Sequence, residues 1–246
     1  MSSFEVAKTT GPRGTSPAFF FCDHATNIIP DGFAGLGLSD NQLDDHIAYD
    51  PGSADLAAAL AEALSARILF CGYSRLVIDP NRGEERADLI MKTSDTISVP
   101  GNQNLSADER HHRLAQYYHP YHCKLSDELD CLTQAQSNPF VISMHSFCRA
   151  LRGEREERPW EAGLLWRDDR ASAMTVMEHL SANGVKVGDN QPYSAKLYNY
   201  SVNRHVGSRG LRHITLEIRQ DLLNSTQAIN RWRDLLFEPL RALIEA

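Results

Sequence analysis

Short apolar runs that stop abruptly at polar residues recur along the chain: "AFFFCDH" (18–24), "RILFCG" (67–72), "RLVIDPNR" (75–82) and "PFVISMHSF" (139–147). Each is too short and too uniformly apolar for an amphipathic helix, so each reads as a strand buried on both faces. A further run, "HITLEIRQDL" (213–222), alternates with period two. Ile214, Leu216 and Ile218 face one side, and His213, Thr215, Glu217 and Arg219 the other. Helical patterns lie between the strands. "SADLAAALAEALSA" (53–66) is rich in Ala and Leu with no Gly or Pro inside. A helix is expected from about Ala107 to Asp130, kinked or divided by Pro120. "RASAMTVMEHLSANG" closes on Gly184, and "TQAINRWRDLLFEPLRALIEA" reads as an amphipathic helix interrupted near Pro239. Strands alternating with helices predict an α/β layer architecture.

The 246 residues, 42% of them hydrophobic, suffice for one large core. The expected organisation is a flexible or loosely docked polar leader over 1–16 and a single domain over 17–246. A formal net charge of -7, with no cluster of Lys and Arg interleaved with aromatics, argues against nucleic acid as a partner. The apolar run near the N-terminus is too short to span a bilayer and runs into Asp23 and His24 rather than a cleavage site. A cytoplasmic protein without a membrane partner is the expectation. Cys22, Cys71, Cys123, Cys131 and Cys148 show no CxxC spacing and read as reduced, small hydrophobes. Residues 83–105 read as a long surface excursion, and no internal repeat is visible.

In α/β sheets functional groups gather at the carboxyl ends of strands. Here "FFFCDH" delivers His24, "RLVIDPNR" delivers Asp79, Asn81 and Arg82, and "FVISMHS" delivers His145 and Ser146. Two imidazoles after separate buried strands, with carboxylates between them, suggest a metal site, and neutral imidazole with carboxylate suits zinc. The third ligand falls in "DDHIAYDPG" (44–52), where His46 and Asp50 share a face if the segment is a turn of helix. Alternatively, Asp50 caps the following helix and His46 is solvated. "YYHPYH" (117–122) sets His119, Tyr121 and His122 beside a proline, either to polarise a carbonyl or hold substrate, or to pack the kink.

In chain order, "CDHATNIIP", "DDHIAYDPG", "YSRLVIDPNR", "YYHPYH", "ISMHSF", "NQPY" and "HITLEIRQDL" resemble the N-formylglutamate amidohydrolase family over roughly residues 17–225. The set is also distantly similar to zinc carboxypeptidases and aspartoacylases. The resemblance implies a three-layer α/β/α fold with a mixed, mostly parallel sheet of about eight strands. It implies Zn2+ and hydrolysis of the amide of a small N-acylated amino acid such as N-formylglutamate. Carried onto this chain, it makes His24 and His145 metal ligands, with His46 or Asp50 completing the set, and Glu217 the general base. Arg82, assisted by Asn81 and Arg75, then grips the substrate carboxylate. Beside this set, His119, Tyr121, His122 and Ser146 are candidate substrate contacts. Asn27 stands where carboxypeptidase-like enzymes carry a ligand Glu, and "CDHA" replaces a Pro-His-Ser-Gly stretch. A non-catalytic amino-acid-binding protein on the same scaffold, or a peptidase or cell-wall amidase, are the competing readings. Without the resemblance, Glu217 reads as an exposed partner of Arg219.

Overall fold

The computed structural model describes residues 4–154 and 156–246. Its strands are β1 (Ala7–Thr10), β2 (Ala18–Cys22), β3 (Arg67–Cys71), β4 (Thr93–Ser94), β5 (Ile97–Ser98), β6 (Phe140–Phe147), β7 (Ala162–Leu165), β8 (Val187–Asp189) and β9 (Arg212–Arg219). The helices are α1 (Asp40–Leu43), α2 (Ser53–Ala63), α3 (Ala107–Arg113), α4 (His119–Ala135), α5 (Arg170–Ala182) and α6 (Thr226–Glu245). Seven strands form one mixed, mostly parallel sheet in the order β1-β3-β2-β6-β9-β7-β8. Strands β3, β2, β6 and β9 run parallel, β1 is antiparallel to β3, and β7 is antiparallel to β9. A separate two-stranded hairpin pairs β4 with β5.

The uniform apolarity of the central strands follows from their two covered faces. Phe20, Ile68, Ile142 and Leu216 pack on one side with Leu56 and Leu60 of α2, Val176 of α5 and Leu236 of α6. Phe19, Phe21, Leu69 and Val141 pack on the other with Leu125 and Leu129 of α4. Each such side chain withdrawn from water contributes about 1.5–3 kcal/mol. Among the described residues no helix is long and apolar enough to cross a membrane.

Three elements depart from the sequence expectation. "RLVIDPNR" is buried but forms turns, not a strand. Its carbonyls are satisfied by side chains instead of a ladder: Asn102 Nδ2 donates to Leu76 O at 2.9 Å and Arg113 Nη1 to Val77 O at 2.7 Å. Part of the polar leader is an edge strand, β1, whose Ala7–Thr10 register against β3. Helix α6 runs through Pro239 without interruption. Its buried stripe of Ile229, Trp232, Leu236, Leu240 and Leu243 outweighs the hydrogen bond the proline removes, a loss of about 3 kcal/mol. Pro120 behaves as expected: a π-helical turn over Leu114–Tyr118 separates α3 from α4, and the proline sits in the first turn of α4.

Candidate functional site

Strand β2 ends at Cys22, so Asp23 and His24 emerge from the carboxyl edge of the sheet beside β6. His145 lies within β6, in register with Glu217 of β9, and the two side chains therefore leave the same face. Asp50 belongs to the turn that leads into α2, anchored where its backbone N–H donates to His24 O at 3.0 Å. Ser146 fixes the same turn to β6, its Oγ donating to Pro51 O at 2.8 Å.

One ligand atom each from His24, Asp50 and His145 lies within 4.8 Å of the others, and all three residues are buried. Asp50 Oδ2 stands 3.2 Å from His24 Nδ1 and 2.8 Å from His145 Nδ1. The far nitrogen of each ring faces another carboxylate. His24 Nε2 is 2.8 Å from Asp79 Oδ1, and Asp79 is gripped through its other oxygen by Arg75 Nε at 3.1 Å and Nη2 at 2.7 Å. His145 Nε2 is 3.7 Å from Asp23 Oδ2, and neither atom has a hydrogen-bond partner among the described residues. The other oxygen of Asp23 accepts from Tyr121 Oη at 2.6 Å and from Ser201 Oγ at 3.0 Å.

These surroundings favour positive charge between the rings. Burial pushes His145 down, but Asp50 outweighs it and raises the imidazole to about 9. His24 is also raised: burial and Arg75 oppose protonation, and Asp79 and Asp50 together prevail. Burial would raise Asp50, yet the two imidazoles hold it well below the usual carboxylate range. A metal ion fits the same donors. Each imidazole would offer Nδ1 to the ion with Nε2 turned toward a carboxylate, Asp79 at hydrogen-bond distance for His24 and Asp23 for His145, the kind of support that fixes tautomer and orientation in histidine-ligated metal sites.

The triad opens into a cleft of about 330 Å³ that also takes in Glu217, Arg75, Asn81 and Arg82. Burial pushes the Glu217 carboxyl up to about 7, tempered by His145, and its Oε2 has no partner among the described residues. Arg82 donates from Nε to Asp88 at 2.9 Å and from Nη1 to Asn81 O at 2.9 Å, while its guanidinium lies 5.5 Å from the Tyr198 ring. Asn81 Oδ1 accepts from Ser201 N at 3.1 Å.

The remaining candidates from the sequence lie elsewhere. His46 sits between Asp45, at 2.5 Å, and Asp95, at 3.2 Å, outside the triad. Its neighbour Asp50 spends its carboxylate on the two imidazoles and does not cap α2. Asn27 donates to Asp44 at 2.9 Å. His119 is half-exposed, 3.8 Å from Glu84. Tyr121 is buried on Asp23, and His122 Nδ1 lies 2.8 Å from His205 Nε2. Burial pushes these two imidazoles down, to about 2 and about 4, so both stay neutral.

Residue-by-residue reading missed Asp23, Ser201, Tyr193 and Tyr198. The "NQPY" stretch marked Tyr193's neighbourhood without giving the residue a role, and nothing in the sequence singled out Tyr198. Tyr193 reaches the cleft because of a glycine opposite Glu217. A Cβ on Gly163 would stand 2.0 Å from Gln191 O, so only glycine lets the turn before Tyr193 lie against β7.

Residues 16–224 match the family model described as N-formylglutamate amidohydrolase. A solved gene product of Agrobacterium tumefaciens is 26% identical, with a TM-score of 0.89 over 97% of this chain and 96% of that one. The N-formylglutamate amidohydrolase of Ralstonia eutropha JMP134 is 18% identical, with a TM-score of 0.75 over 96% of each chain. No curated protein matches the chain.

Proposed function

Because the chain belongs to the N-formylglutamate amidohydrolase family, we propose that it hydrolyses the amide of a small N-acylated amino acid, with Zn2+ held by His24, Asp50 and His145. The observation that carries this reading is the buried His-Asp-His set with an unpartnered carboxylate, Glu217, in the same cleft. Zinc bound there would supply Lewis acidity and lower the pKa of a water toward neutrality. Glu217 accepts the proton of the attacking water and returns it to the amide nitrogen as the carbon–nitrogen bond breaks. Its carboxyl suits both transfers, since burial brings it close to neutrality. Arg82 holds the substrate carboxylate: Asp88 and Asn81 fix its Nε and Nη1, and Nη2 is bonded to no described residue. Arg75 is committed to Asp79 and Asp50 and stabilises those carboxylates.

The test combines metal analysis with a panel of N-formyl and N-acetyl amino acids and short peptides, assayed before and after chelation. The wild type should hold about one equivalent of zinc, which His24→Ala, Asp50→Ala and His145→Ala should lose. Glu217→Gln should keep its zinc while kcat falls by about 10²–10⁴. Undiminished turnover after complete removal of metal, or a zinc-loaded Glu217→Gln protein as fast as the wild type, would overturn the reading.

A further inference from the structure

Beside Glu217 the cleft contains a polar group with no role in the mechanism above. Tyr193 lines the same space as His24, His145 and Glu217. Its oxygen accepts a hydrogen bond from Arg158 Nη1 at 3.0 Å, and the guanidinium lies 5.1 Å from the ring centre. The same nitrogen also donates to Cys148 O at 3.3 Å, at the end of the strand that carries His145. Arg158 therefore clamps the phenol to the rigid edge of β6.

A phenol has one proton. With Arg158 donating to the oxygen, that proton is directed away from the guanidinium and is left for a partner in the cleft. Burial first, and the Glu217 carboxylate second, push the Tyr193 hydroxyl up to about 12, so the group is a neutral donor at physiological pH. Tyr198 stands between this donor and Arg82: its ring centre is 5.9 Å from that of Tyr193 and 5.5 Å from the Arg82 guanidinium. The cleft thus has a charged pole suited to a carboxylate and, beside the base, a neutral pole suited to a carbonyl.

We infer that Tyr193 is a second catalytic residue, donating its hydroxyl hydrogen bond to the oxygen of the scissile carbonyl, and that Arg158 is the positioning residue that aims it. The assignment rests on the amidohydrolase reading. Negative charge develops on that oxygen as water adds, so a donor already oriented there stabilises the transition state more than the ground state. No proton leaves the phenol. The hydrogen bond strengthens as the carbonyl becomes tetrahedral and relaxes when it re-forms.

The experiment uses the zinc-loaded full chain and whichever N-acyl amino acid the wild type turns over fastest. Tyr193→Phe should lower kcat by about 10²–10³ with KM changed by less than about threefold and zinc content unaltered. Arg158→Met should lower kcat comparably, and the double variant should be no slower than the single ones, because Arg158 acts through the phenol. Arg158→Lys, which retains a donor, should recover part of the loss. Normal kcat in Tyr193→Phe overturns the assignment. A rise in KM alone also overturns it and moves the phenol to the substrate carboxylate, whereas additive losses leave Arg158 a structural residue. A wild type that cleaves no N-acyl amino acid removes the amidohydrolase reading and this assignment with it. An active wild type with an unimpaired Tyr193→Phe removes only this one.

Discussion

At the level of single residues, Tyr121 shows how a side chain acts on chemistry it never touches. It donates at 2.6 Å to Asp23, whose other oxygen faces the back of the His145 ring. Asp23→Asn should therefore weaken zinc binding by about 10–100-fold, and Tyr121→Phe by less, since Ser201 still holds the carboxylate. Competition with a chromophoric chelator gives both affinities, and His46→Ala, outside the triad, should leave affinity unchanged in the same assay. These roles were only half legible in the sequence. Buried strands marked His24 and His145, because an imidazole at or near the end of an apolar run is visible in one dimension. The choice between His46 and Asp50 depends on how a turn folds back over the sheet, and Asp23 hid beside a more conspicuous neighbour. Tyr121 was noticed as a polar residue near a proline, but its partner lies 98 positions away.

Among the elements, the buried turns over 75–82 depend on two side chains, Asn102 at the far end of the long excursion and Arg113 of α3. Asn102 donates to Leu76 O and to Met91 O, and its own Oδ1 accepts from Arg113 at 2.7 Å. Asn102→Ala should cost about 3 kcal/mol, because it strands two carbonyls and one guanidinium donor in the interior. Chemical denaturation at fixed zinc measures it, and a loss under about 0.5 kcal/mol would mean that water replaces the amide. The same contact explains why "RLVIDPNR" has the apolar pattern of a buried strand without being one. Hydrophobicity reports burial, and burial of a backbone normally implies a ladder, but here side chains satisfy the carbonyls. The central strands β2, β3, β6 and β9 are legible because their neighbours are other strands, whereas the short marginal strands β1, β7 and β8 carry no comparable apolar run. Pro239 taught the converse, that a local breaker yields where a long apolar stripe is packed along its whole length.

Across the whole molecule, charge on β3, next to the sheet's edge strand, ties remote parts together. Glu128 of α4, with its side chain 1% exposed, receives Arg67 Nε of β3 at 2.5 Å, Lys124 Nζ at 3.0 Å and Arg13 Nη2 at 3.2 Å. Burial alone would raise this carboxyl, but the hydrogen bonds from Arg67 and Lys124 prevail and hold it at about 2, below its ordinary 4.5. Between those values the unfolded chain binds the proton and the native one does not, so stability is complete above about pH 4.5 and is lost as pH falls through about 2. Glu128→Gln should flatten that acid limb of the stability curve while lowering stability at pH 7, as urea titrations across pH would record. An unchanged slope would assign acid sensitivity to other carboxylates. The topology has a kinetic counterpart. Asp23 and His145 meet only after parallel β2 and β6 have paired, and Glu217 joins only when β9 docks on β6. Parallel pairing across such sequence separations is intrinsically slow, since the chain loses loop entropy before gaining contacts. The His24–Asp50–His145 cluster can close once residue 145 is in place, but Glu217 joins it only when β9, late in the 246-residue chain, has docked, so the complete cluster is assembled near the end of folding.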